Sequence, residues 1–166
     1  QKHTFTAPFV NSEEVQYLVI EDDYTCGRPP LEEGGALFTT RETVDKVETM
    51  KVTTCLNPLH TAMSLFGCLL GYTLISAEMK DPDIRLFIQK LGYMEAMPVV
   101  TDPGVLNPYE FIGAVINRRL PNPFMPDAPQ RIAMDTSQKI PIRFGETLKK
   151  YVARSLDLDN LVLIPL

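Results

Sequence analysis

The sequence predicts a mainly α, multi-helical domain with one or two short strands near its N-terminus. Three observations lead there. The nearly uncharged run from 55 to 77 holds Asn, Pro, His and several Ser and Thr, so it is too polar to span a membrane yet apolar enough to form a buried central helix. Two further stretches carry apolar residues at helical spacing: Ile84, Phe87, Ile88, Leu91 and Met94, then Phe111, Ile112, Val115 and Ile116. Asn57-Pro58, Asp81-Pro82 and Asn107-Pro108 stand where these helices should begin, each a capping side chain followed by a residue with no N–H to satisfy.

Taken in order, residues 15–20 are rich in β-branched and aromatic side chains and read as a strand. Gly27, Pro29, Pro30, Gly34 and Gly35 punctuate an acidic loop after it. Residues 43–55 suit a helix begun by Thr43, with Glu48 one turn before Lys51 and able to pair with it. At about 100° per residue, Lys51 and His60 would fall on opposite sides of one straight helix. Pro58 lacks an N–H and would clash with the carbonyl of Thr54, so the helix should break there and restart with Asn57 as its cap. The restarted helix runs to about residue 74, where Gly67 and Gly71 permit close approach of a neighbour. Arg118 and Arg119 close the helix that Asn107 opens, at the negative end of its dipole. Pro121, Pro123, Pro126 and Pro129 make a stiff loop, residues 131–139 a short amphipathic helix, and residues 145–155 a final one.

At 166 residues and 45% hydrophobic content, the chain suits one domain with a substantial core. A net charge of −5 without any basic block argues against nucleic acid or an anionic membrane as partner, and toward small molecules or proteins. Cys26, Cys55 and Cys68 lack C-x-x-C spacing and read as reduced thiols of a cytoplasmic protein, with no metal site. A start at Gln1 and an apolar end at residues 161–166 read as cuts through a longer protein.

A lysine, an asparagine and, three positions later, a histidine leading into an apolar helix resemble the signature of the long-chain polyol and hexonate dehydrogenases. That family includes mannitol 2-dehydrogenase, fructuronate reductase and tagaturonate reductase. Two more stretches resemble it: the Val19-Ile20-Glu21-Asp22 … Gly27-Arg28-Pro29-Pro30-Leu31-Glu32 connector, and Asn122-Pro123 followed by Arg131, Asp135-x-Ser137 and Lys139. Five residues separate Lys51 from Asn57, one more than the family's usual spacing. The resemblance implies residues 1–42 as an interdomain connector and residues 43–166 as a helical substrate domain like the C-terminal domain of 6-phosphogluconate dehydrogenase. It implies Lys51 as acid/base, Asn57 and His60 orienting the reacting oxygen, and Glu48 moving protons to solvent. Arg131, Lys139 and Arg143 would bind substrate, their charge favouring a hexuronate or hexonate over mannitol or fructose. NAD or NADP would sit mainly on an N-terminal nucleotide-binding domain, because no G-x-G-x-x-G occurs here. A non-catalytic all-α interaction module is the competing class. A metal-dependent sugar isomerase is weaker, since two histidines without clustered carboxylates cannot build its site.

Overall fold

A computed structural model describes residues 18–161 and residue 164. The expected strand is present as β1 (Val19–Glu21), while residues 15–17 of that expectation lie outside the described residues. It pairs in parallel with β2 (Leu37–Thr39), Val19 opposite Leu37. Arg28 closes the loop between them, bonding Asp22 and Glu32 and lying 3.4 Å over the Phe38 ring.

Eight α-helices follow among the described residues: α1 (Arg41–Met50), α2 (Asn57–Leu70), α3 (Ile75–Glu78), α4 (Pro82–Gln89), α5 (Pro108–Ala114), α6 (Pro129–Ile132), α7 (Thr136–Ile140) and α8 (Glu146–Ala153). α2 packs against α3, α4 and α6. Leu59 and Met63 of α2 are fully buried with Met50, Ile88, Leu91, Ile112, Val115 and Ile116, each such side chain contributing about 1.5–3 kcal/mol.

Two of the expected caps form as the sequence implies. Asp81 Oδ1 accepts from the amides of Asp83 and Ile84, and Asn107 Oδ1 from those of Tyr109 and Glu110. Asn57 does not cap. Leu56 occupies that position with φ −132° and ψ −63°, no side chain receives the free amides, and Asn57 is already helical. α1 starts earlier than expected, because Thr40 rather than Thr43 supplies the cap, its hydroxyl accepting the Thr43 amide at 3.3 Å. The segment expected as one helix over 131–139 is two, α6 and α7, separated by Asp135 in the left-handed region at φ 56°.

The glycines of α2 have different tasks. Gly71, at φ 82° with open space around it, ends the helix, so it serves backbone conformation and not close packing. Gly67 does admit a neighbour: a Cβ there would lie 2.1 Å from Oε1 of the fully buried Glu78. Alanine gains about 1 kcal/mol of helix propensity over glycine, whereas overpacking a closed core costs about 1–3 kcal/mol. Gly67→Ala should therefore destabilise the protein in urea unfolding, and in a Glu78→Ala background the same change should become stabilising.

Neither Glu78 carboxyl oxygen has a hydrogen-bond partner among the described residues, and burial raises its pKa from 4.5 to about 8. Unfolded, this group ionises near 4.5; folded, it holds its proton to about 8, so folding takes up a proton between these values. The stability that depends on neutral Glu78 is full below the lower value and lost as pH rises through the upper one. Melting temperatures across this range should fall with pH, and Glu78→Gln should flatten the fall.

Candidate active site at the mouth of the central helix

Four helices carry π-turns among the described residues: Lys51–Cys55 after α1, Lys90–Ala96 after α4, Val115–Arg119 after α5, and Pro141–Gly145 between α7 and α8. In a π-turn the hydrogen bond spans five residues instead of four, one more than in an α-turn. At the first of these the Leu56 amide donates to the Lys51 carbonyl at 3.1 Å, and the His60 amide donates in turn to the Leu56 carbonyl at 3.0 Å. Two backbone bonds thus connect the lysine to the histidine across the break. The turn is clamped from outside: the Thr147 hydroxyl donates to the Thr53 carbonyl at 3.2 Å, and the Cys55 thiol to the Pro108 carbonyl. Burial pushes that thiol up to about 12, so it is an inert part of the core.

Lys51 is mostly buried, and its ammonium lies 2.7 Å from the more exposed Glu48 carboxylate, the i,i+3 pair that the spacing implies. Asn57, with no cap to make, keeps its amide out of any side-chain hydrogen bond with the described residues.

His60 lies beside Asp127. Among the described residues its Nε2 has no hydrogen-bond partner, and Oδ2 of Asp127 is 3.5 Å away. Burial is the main cause that pushes the imidazole down to about 4; Asp127 opposes it, and Arg119, Arg143 and Arg131 add to it. His60 is therefore neutral at physiological pH, within reach of three guanidinium charges. Arg143 donates to the hydroxyl of fully buried Thr61, and its own pKa is lowered by burial. Arg131 is exposed and pairs with Asp127 at 2.7 Å. Lys139 turns inward instead, donating to the carbonyls of Ile132 and Met134 and so closing the end of α6.

The structure thus brings His60, Arg131 and Arg143 to one region and ties Lys51 to Glu48, while Lys139 supports the loop that carries Arg131. Sequence reasoning overlooked Asp127, whose signal was a lone carboxylate in the proline-rich loop, one helical turn before Arg131. It also gave Arg119 only a helix-end role, whereas its charge bears on His60. A groove of about 470 Å³ lined by Val100, Asp102, Leu106 and Tyr109 shares no residue with this region.

Among the described residues no cluster of His, Cys, Asp or Glu could hold a metal ion, and no helix is long and apolar enough to cross a membrane. Among the described residues the two short strands form no nucleotide-binding βαβ unit.

Comparison with known proteins gives a consistent relationship. The chain is 60% identical to a D-mannonate oxidoreductase of Thermotoga maritima, over 99% of this chain and 31% of that protein. It is 30% identical to a mannitol 2-dehydrogenase of Cereibacter sphaeroides, over 93% of this chain and 32% of that protein. The chain therefore spans about a third of the length of the curated relatives it matches. Its fold is similar to a D-sorbitol dehydrogenase solved without substrate, with a TM-score of 0.77 and 27% identity over 86% of this chain and 28% of that one. It is also similar to mannitol 2-dehydrogenase of Pseudomonas fluorescens in ternary complex with NAD and D-mannitol, with a TM-score of 0.71 and 25% identity over the same shares of the two chains. The mannitol dehydrogenase C-terminal domain family matches residues 43–165, and this chain belongs to that family.

Proposed function

We propose that this chain is the substrate-binding and acid/base half of a nicotinamide-dependent oxidoreductase that interconverts a hexuronate, fructuronate, and a hexonate, mannonate. The observation that carries the substrate class is the meeting of three arginine charges on a neutral His60, opposed by the Asp127 carboxylate. Such a field favours a carboxylate-bearing sugar. The 60% identity to a D-mannonate oxidoreductase supports the same assignment.

The nicotinamide, bound by a preceding nucleotide domain, supplies or accepts the hydride. Within this chain, Lys51 first gives its ammonium proton to Glu48 and then, as the neutral amine, takes the hydroxyl proton during oxidation; during reduction the ammonium gives its proton to the carbonyl oxygen. Glu48, paired with it and facing solvent, passes that proton outward. Asn57 donates its uncommitted amide to the oxyanion, and His60 hydrogen-bonds the reacting or adjacent oxygen. The π-turn at Lys51–Cys55 supports this reading, because its hydrogen-bonded ring is one residue wider than an α-turn and offers room for the added residue between Lys51 and Asn57. Arg131 and Arg143 bind the sugar acid, with Lys139 holding the Arg131 loop. A cytoplasmic location suits these substrates and the three unpaired thiols.

The polyol reading stays as a second one, because relatives acting as mannitol 2-dehydrogenase are 30% identical. Comparison of kcat/KM for fructuronate, tagaturonate and fructose on the full-length protein separates the two. A preference for fructuronate supports the proposal; a preference for fructose assigns the cations to hydroxyl groups.

A further inference from the structure

Asp127 is held at two points and faces the imidazole at a third. Its carbonyl accepts the Ile75 amide at 3.0 Å, its Oδ1 accepts from Arg131 Nη2 at 2.7 Å, and its Oδ2 lies 3.5 Å from His60 Nε2. Gln130 pins the same loop by donating to the Tyr72 carbonyl at 2.8 Å. The carboxylate and the imidazole are both nearly closed from solvent, at 16% and 14% exposure. The carboxylate cannot swing away without releasing Arg131.

A neutral imidazole has one N–H donor and one lone-pair acceptor. A carboxylate oxygen facing Nε2 suits only the form that carries its proton on Nε2, because the other form would set a lone pair against a negative charge. Positive charges from three elements bear on the same ring: Arg119 from the turn after α5, Arg131 from α6 and Arg143 from the turn before α8. Asp127 is the carboxylate that opposes them.

We propose that Asp127 is a positioning residue that fixes the His60 proton on Nε2, leaves Nδ1 to accept from a sugar hydroxyl, and holds one arm of Arg131 so that the rest of its fork meets the substrate. The role in turnover rests on the functional reading above; the effect on the imidazole does not.

Asp127→Asn gives a sharp test because Arg131 dictates the amide's orientation. The amide oxygen must take the place of Oδ1, which puts the NH2 group where Oδ2 stood and makes it a donor to Nε2. The proton should then move to Nδ1. The experiment is nitrogen NMR of histidine-labelled full-length protein at neutral pH, with His60→Asn identifying the resonance, alongside steady-state kinetics. The expected result is Nε2–H in the parent and Nδ1–H in Asp127→Asn, with kcat lowered roughly tenfold or more. KM for a hexuronate should stay level or fall, since a negative charge beside an anionic substrate is gone. A merely structural role would raise KM and leave the proton in place. Nδ1–H in the parent protein, the same form in both proteins, or an unchanged kcat each overturns the proposal. Failure of the full-length protein to turn over any hexuronate or polyol would instead overturn the functional reading, while the position of the proton would still decide what Asp127 does.

Discussion

Lys51→Ala in the full-length protein should lower kcat by roughly two orders of magnitude or more, the range for loss of a general acid/base. The expectation rests on where the fold puts this lysine. It stands at the first position of a π-turn, with 21% of its side chain exposed, and its ammonium is 2.7 Å from a carboxylate that is 59% exposed. A proton taken from substrate therefore has a route to water through Glu48. Affinity for the nicotinamide should change much less, because that ligand belongs to another domain in this account. Glu48→Gln should slow turnover by a smaller factor, since water can replace an exposed carboxylate as proton acceptor. A near-normal rate for Lys51→Ala would make the lysine, asparagine and histidine a structural helix junction.

Arg131→Ala should separate acidic from neutral sugars. A hydrogen bond from a charged donor to a charged acceptor is worth about 1.5–3 kcal/mol, so losing a carboxylate contact should cut kcat/KM for fructuronate roughly 10- to 100-fold. Fructose offers only hydroxyl groups and should lose less. The loss on uronates belongs at the lower end if water reaches Arg131 in the complete enzyme, given its 67% exposure in this chain. Equal losses for fructuronate and fructose would show that this guanidinium does not read a carboxylate.

Local chemistry was legible in the sequence at several places where both partners lie within a helical turn. The Lys51–Glu48 pair and the Asp81 and Asn107 caps all follow from spacing. Asn57 shows the limit of that reasoning. It shares its Asn-Pro dipeptide with Asn107, but Asn107 is itself extended, at φ −77° and ψ 116°, whereas Asn57 is already helical and follows Leu56, whose amide is committed to the Lys51 carbonyl. The same two residues cap one helix and not the other because the asparagine is extended in one and helical in the other. π-turns are equally hidden, because a period of about 100° per residue assumes that each amide bonds four residues back. The opposite-sides problem posed by Lys51 and His60 on one straight helix came from that assumption. Asp127 was illegible for a different reason: its partner His60 is far away in sequence and meets it only because α6 packs on α2.

The most direct test is nicotinamide absorbance during fructuronate reduction, measured side by side on the full-length protein and on the 166-residue chain alone. The account predicts turnover by the full-length protein and none by the chain alone, because Lys51, Asn57 and His60 supply the acid/base half of the reaction but no dinucleotide site. Turnover by the isolated chain, or a full-length protein inert toward every hexuronate and polyol, would contradict it.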